Sequence, residues 1–354
     1  GNPVEATGDE QVELFRSVKA GNGRVEIALT DGGTLSAAQV NDLSVAGTAN
    51  CYVVSAPGTY VFNARVRGNG AGEGVGFEPA IEMADGMTAD WLWTDSEGLV
   101  SGVALDTTSG DIFLTVGEGR GNALVALMQD GKVVWSWHVW VTDAPQTMTY
   151  GNGTVFMDRN LGAVGTTAGG TDAYGMYYQW GRKDPFYGGE KTETSANAFL
   201  EAKNGTVVNP AYPALDWAFS KSATTTDGAA ANPMTFYNDK VGTGYNWLAS
   251  PNATLWGEAK TLNDPCPPGY RVPETGAWED LISGRQYIDG VSVWDGTNYG
   301  MTYTGGSGAY WSAETSSVKS YYLFFRSKLS SSGSINNELD MNRSYGYTVR
   351  CCKE

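Results

Sequence analysis

Apolar positions fall into two patterns along the chain. From about residue 25 to 145, short runs rich in β-branched and aromatic side chains follow one another: RVEIAL, NCYVVS, TYVFNARVR, DWLWTD, GLVSGVALD, DIFLTV, NALVALM and KVVWSWHVWVTD. Gly-bearing turns separate them. Strands at this spacing predict an all-β sandwich of immunoglobulin-like size. Two hairpins are expected locally, one at Pro57-Gly58 in SAPGTY and one at Asp130-Gly131 in MQDGKVV, where the Asp-Gly pair suits a type I′ turn. Cys51 is expected as a buried free thiol on its strand.

In VVWSWHVWVTD, strict alternation puts Val133, Trp135, Trp137, Val139 and Val141 on one face. Ser136, His138, Trp140 and Thr142 occupy the other. His138 is therefore expected on the less buried face of a strand. It is the only histidine of the chain, and with no Ser or Cys nucleophile motif beside it the pattern does not make it a catalytic base.

Beyond TDAPQT the character changes. TVFMDRNLGA reads as a strand with a charged exit, and DAYGMYYQWGRKDPF as an aromatic segment ending in a Lys-Asp-Pro turn. Residues 188 to 245 are rich in Gly, Ser, Thr, Ala and Asn with few periodic runs, a length of loop that is usually functional or disordered. AWEDLIS predicts a short helix with Trp278, Leu281 and Ile282 on one side. The stretch from GAYWSAE to the end reads as successive antiparallel strands, so the second part is α+β with few helices.

Charge sharpens the division. The chain of 354 residues carries a formal net charge of -16, with 7 Lys/Arg against 19 Asp/Glu in residues 1–145 and 16 against 20 in residues 146–354. Such acidity argues against a nucleic-acid partner, because phosphate binding needs a basic patch. No run of 18 apolar residues exists to span a membrane. Residues 1–24, polar and acidic, are expected as a flexible lead-in ahead of the sandwich at 25–145 and the second domain at 146–354. With no signal peptide at the start, export through a removed secretory or lipoprotein signal, with an N-terminal lipid anchor, is the expectation. Four cysteines, Cys51, Cys266, Cys351 and Cys352, suit one bridge in an oxidising compartment and match no zinc spacing.

TVFMDRNLGA, YGMYYQWGRKDPF, CPPGYRVPETGAWEDL, AYWSAE, YYLFFR and the closing YTVRCCKE, in that order, resemble the Fibrobacter succinogenes major paralogous domain. The resemblance covers roughly residues 150–354 and implies a C-type-lectin-like fold related to the formylglycine-generating enzymes. The earlier ANCYVVSAPGTYVFNARVRGNG is similar to β-sandwich modules that precede this domain in Bacteroidetes surface and fimbria-associated lipoproteins. Where members show Thr after Val-Pro and Glu before the Trp, this chain has Glu274 and Ala277, leaving Thr275 to cap the helix. The domain so identified makes CPPGYRVP a staple, with Cys266 paired to Cys351, Cys352 being the alternative. A bridge closing a loop of roughly 85 residues contributes on the order of 4 kcal/mol before strain.

Three functions follow as expectations. The first is a non-enzymatic surface or fimbria-associated adhesin presenting a lectin-like domain to a host or community glycan or protein. The second is a structural pilus or envelope subunit docking to partner chains. The third is a formylglycine-generating-type enzyme, which would need reactive cysteines in a groove. Sugar binding by stacking on aromatic rings points to Trp217, Trp247, Trp256 and Trp294, which lie in Gly/Asn/Ser-rich surroundings. No cofactor is indicated. Calcium would need oxygen ligands such as Asn263, Asp264, Asn336, Asn337, Glu338 and Asp340, but the Glu-Pro-Asn and Trp-Asn-Asp tripeptides of calcium-dependent lectins are missing. The glycines at 68–76 stand outside any βαβ unit, so they predict a turn-rich surface and not a phosphate loop. Asp158, Arg159, Asn160, Arg182, Lys183, Asp184, Arg271 and Arg350 are expected to form a buried ionic network tying the domain together, or else a polar ligand floor.

Overall fold

The structure is a computed structural model, and it describes residues 18–20, 23–30, 34–69, 80–167, 170–187, 203–239, 246–283, 286–288, 291–293, 307–326 and 335–354. Strands β1 (Val18–Ala20), β2 (Gly23–Thr30), β3 (Thr34–Asp42), β4 (Cys51–Val54), β5 (Gly58–Asn63), β6 (Met87–Thr94), β7 (Val100–Asp106), β8 (Asp111–Val116), β9 (Gly121–Gln129) and β10 (Lys132–Val141) account for the first half. They form two sheets. One has the order β1-β2-β3-β5-β8-β7 and the other contains β6-β9-β10-β4, with β4 parallel to β10. Tyr52, Phe62, Leu114, Val125, Trp137 and Val139 fill the space between them, as the inward-facing residues of a β-sandwich do. Two strands fall within residues 1–24 or straddle its end, β1 and the start of β2, so the expected lead-in is in part a sheet edge.

Asp130 and Gly131 both take left-handed φ, 50° and 74°, between β9 and β10, as a type I′ hairpin requires. The expected hairpin at Pro57-Gly58 is not one. β4 and β5 lie in different sheets, and the turn carries the chain across the sandwich.

The second half adds β11 (Thr147–Thr149), β12 (Val155–Met157), β13 (Tyr177–Gln179), β14 (Val207–Val208), β15 (Ala218–Ser220), β16 (Thr235–Tyr237), β17 (Tyr270–Arg271), β18 (Gln286–Ile288), β19 (Val291–Val293), β20 (Ser307–Ser316), β21 (Lys319–Arg326), β22 (Ile335–Asn342), β23 (Gly346–Thr348) and β24 (Cys352–Lys353). A five-stranded sheet, β13-β23-β20-β21-β22, and a four-stranded sheet, β11-β12-β24-β17, form its frame. The predicted helix is present as Glu279–Ser283, preceded by a 3-10 turn at Thr275–Trp278. Trp278 and Leu281 are buried against Phe156, Tyr310 and Phe325. Its cap differs from expectation: Glu274, not Thr275, holds the N-cap position, and no side chain bonds to the turn's amides from there.

The halves are not separate packages. β14 hydrogen-bonds to β6 through Val207↔Thr94 and Val208↔Trp93, so the second half completes a sandwich sheet. One core joins Cys51, Trp93, Leu124, Met128 and Trp140 to Tyr178, Trp180, Phe186, Trp217 and Phe236. The outer face of the β6-β9-β10-β4 sheet is therefore buried, and β9 reads GNALVALMQ because both of its faces are dry. A β-bulge between Val133 and Trp135 breaks the alternation in β10 and places Val133 in the shared core.

Candidate functional site

Burial of both sheet faces overturns the placement of His138, which is 1% exposed. Its strand brings it opposite Leu124 of β9, two residue pairs from Asn122, while Tyr178 arrives from β13. The Asn122 amide donates to Asp95 Oδ2 and to the Gly162 carbonyl, so its Oδ1 must accept, and His138 Nε2 donates to it at 2.8 Å. That fixes the tautomer: Nδ1 accepts from the Tyr178 hydroxyl at 3.2 Å. Burial lowers the His138 pKa to about 3 and raises those of Tyr178 and Asp95. The imidazole stays neutral and both of its nitrogens are used.

Two residues back along β10, Ser136 meets the Lys-Asp-Pro turn. Lys183 Nζ donates to Ser136 Oγ at 2.6 Å, to the Ser136 carbonyl at 3.0 Å and to Asp184 Oδ1 at 2.5 Å, and Ser136 Oγ donates to the same carboxylate at 2.7 Å. All three residues are buried. Burial pulls the Lys183 ammonium down while Asp184 supports it. Lys183 also sits 4.5 Å from the centroid of the Trp135 ring, whose Nε1 donates to Asn50 Oδ1. Asn50 in turn donates to the carbonyls of Leu262 and Asp264. Asp264 accepts from Lys260 and from the amides of Cys266 and Val272. A continuous polar seam thus runs between the sandwich and the second half, crossed by the bonds of Ser136 to Lys183 and Asp184 and of Asn50 to the Leu262 and Asp264 carbonyls. Such a seam fixes relative position; Lys183, Ser136 and Asp184 have every short contact directed at one another.

The other charged motif residues form ties of the same kind. Arg159 pairs with Asp158 and Asp143, and Arg120 reaches Asp143 from the sandwich. The Arg159 guanidinium holds the Asp143 carboxyl down at about 2. Arg350 donates from Nε and Nη2 to Asn160 Oδ1, while the Asn160 amide reaches the carbonyls of Ala173 and Tyr174 and the Tyr310 hydroxyl. Arg271 pairs with Glu274. Arg182 pairs with no carboxylate among the described residues and donates to Gln179 Oε1 and the carbonyls of Thr235 and Pro233.

The tryptophans expected at a stacking surface are inside. Trp217 packs on Trp93 and Phe186 with its Nε1 on Thr206; Trp247 donates to the Trp180 carbonyl; Trp256 donates to the Asn263 carbonyl and packs on Trp180. All three are buried, so their ring faces are taken up by the core and not offered to a sugar. Polar neighbours in sequence did not imply exposure, because each indole N–H has a partner that lets the whole ring go in. Trp294 lies outside the described residues, as do 70–76 of the glycine-rich stretch.

Cys266 and Cys351 form the disulfide, closing a separation of 85 residues, and Cys352 is a buried thiol beside it, not a partner. Burial pushes the Cys352 thiol up to about 11 and the Cys51 thiol up as well. Of the oxygen groups considered for calcium, Asp264 belongs to the seam, Asp340 binds Lys319 and Ser316, and Asn337 donates to the Thr275 carbonyl. Among the described residues no three His, Cys, Asp or Glu side chains group as metal ligands do, and no helix is long and apolar enough to cross a membrane. The residue pattern missed Asn50, Asn122, Ser136 and Tyr178. Ser136 and His138 carried a signal, as polar residues in a strand otherwise made of Trp and Val. No protein-family model, curated protein or solved structure matches the chain.

Proposed function

We propose that the chain is an exported, non-enzymatic surface or fimbria-associated adhesin, in which an immunoglobulin-like sandwich is the mount for a C-type-lectin-like second domain. The observation that carries this reading is the seam. Lys183, Asp184 and Ser136 lock the second half onto the sandwich, so the protein is a stiff carrier that holds its outer loops at a fixed angle. The Cys266–Cys351 bridge supports an oxidising, extracytoplasmic setting, where such bonds persist. The ligand is a host or community glycan or protein held by the loops of the second half. The test is a glycan array probed with the whole chain, since the halves share a core and separation would expose it. Binding confined to a related set of glycans supports the lectin role; no binding by protein shown to be folded overturns it.

A second reading, a pilus or envelope subunit, draws on the sheet edge. β3 joins β5 through Asn41↔Tyr60 and Asp42↔Val61, so most of the β2–β3 hairpin runs past the start of β5, with β1 the edge strand among the described residues. Free edges template pairing with another chain. Deleting residues 1–24 removes β1 and the first two residues of β2; loss of assembly or anchoring favours the subunit, and unchanged behaviour favours the free-standing binder.

A further inference from the structure

The sequence holds four Asn-Gly pairs, at 22–23, 69–70, 152–153 and 204–205. An asparagine followed by glycine can close on itself, because no Cβ shields the glycine nitrogen from the side-chain amide carbon. Asn22 and Gly70 lie outside the described residues, which leaves two pairs to compare. Asn204 stands in a helical turn at 203–205, and a Cβ at Gly205 would run into the Tyr187 ring, so backbone and packing both hold that pair away from cyclisation.

Asn152-Gly153 is placed differently. It forms the tip of the loop between β11 and β12, where residues 151–153 are exposed and Gly153 takes φ +89° with nothing within 4 Å of its Cβ position. The Thr154 amide donates to Asn152 Oδ1 at 3.0 Å. Negative charge gathers on that oxygen when the amide carbon is attacked, so the donor favours the attack. One bond opposes it: the Gly153 amide donates to the Tyr150 carbonyl at 2.9 Å and must let go first. At an exposed loop tip such a bond opens at low cost. The same asparagine is also a clip. Its Nδ2 donates to the carbonyls of Gly276 at 3.3 Å and Ala277 at 3.2 Å, and the Gly151 amide donates to Asp280 Oδ2 at 2.8 Å. These bonds join the loop to the 3-10 turn that buries Trp278.

We infer that Asn152 is a site of spontaneous deamidation, and that its conversion releases the β11–β12 loop from the Trp278 turn. Hydroxide takes the Gly153 amide proton, and the nitrogen forms a bond to Asn152 Cγ; the Cγ–Nδ2 bond breaks, and Nδ2 leaves as ammonia with a proton from water. Water then opens the succinimide ring. Attack at Cγ gives aspartate, and attack at the main-chain carbonyl carbon gives isoaspartate, whose backbone runs through Cγ. Either product sets a carboxylate against two carbonyl oxygens, in a loop that already holds the Asp280 carboxylate.

The whole chain held at pH 8 and mapped by peptide mass over weeks tests the site. Asn152 should convert severalfold faster than Asn204, and the chain unfolded in urea supplies the rate that each pair has without structure. Asn152 intact in the native chain while it converts in urea, or Asn204 converting first, overturns the inference. For the consequence, Asn152→Asp should lower Tm and speed hydrogen exchange at residues 275–278. Wild-type exchange there in the folded variant would remove the release.

Discussion

Tyr178 meets His138 across the boundary between the two halves, its hydroxyl 3.2 Å from Nδ1, while Asn122 holds Nε2 at 2.8 Å from the sandwich side. The one imidazole of the chain is thus a neutral bridge with a donor against it. Protonation would set an N–H against the Tyr178 O–H.

This gives stability a defined pH dependence. The folded pKa of His138, about 3, lies below its ordinary value of 6.5, so between those values the unfolded chain binds the extra proton. The stabilisation is fully present above pH 6.5 and is lost as pH falls toward 3, with a slope of at most about 1.4 kcal/mol per pH unit from this group. Urea unfolding between pH 7 and 5 should show the loss in wild type and a shallower loss in His138→Gln. Equal slopes would remove His138 as the cause.

Lys183→Met leaves Asp184 buried without its ammonium and should cost about 3–5 kcal/mol, whereas Ser136→Ala should cost only about 1–3 kcal/mol. Because the groups share one network, the double variant should cost less than the singles together. Chemical denaturation of the three variants measures this. Additive costs would mean that the triad is not coupled.

The halves should unfold together. Trp137 reports on the sandwich core and Trp180 on the shared core, so single-Trp reporters at these positions should give coincident denaturation curves. Two separated transitions would show that the seam contributes little.

Cys266→Ser releases the 85-residue loop and should cost on the order of 4 kcal/mol, read as a fall in the urea midpoint. Cys51 and Cys352 should resist thiol reagents at pH 8 until the chain unfolds, since both are buried and their thiolates disfavoured. Rapid labelling of native protein would contradict the burial.

Gly68 holds φ at +51°, and a Cβ there would lie 2.3 Å from the Leu262 carbonyl oxygen, the group that accepts from Asn50. Gly68→Ala should therefore destabilise by at least about 1 kcal/mol by forcing the two halves apart at that point. A thermal shift assay comparing it with Gly276→Ala, where a Cβ meets nothing, separates this clash from general glycine effects.

The chain's own order of residues determined what is local. Alternating β-branched and aromatic runs specified most of the sandwich strands, Asp130-Gly131 specified its turn, Trp278 and Leu281 specified the buried side of a short helix, and the resemblance carried by CPPGYRVP and the closing YTVRCC implied the Cys266–Cys351 bridge. Only the tertiary structure decided which faces meet. Alternation marks two faces of β10 but cannot say that a second sheet covers one and the later half of the chain covers the other, so it points to a less buried face for His138 where the structure has none. Trp217, Trp247 and Trp256 were misplaced for the same reason: polar neighbours along the chain do not report what packs above a ring. Burial is a property of contacts between distant segments, and in this protein those contacts, across the seam from Ser136 to Lys183 and from His138 to Tyr178, turn two patterned stretches into one body.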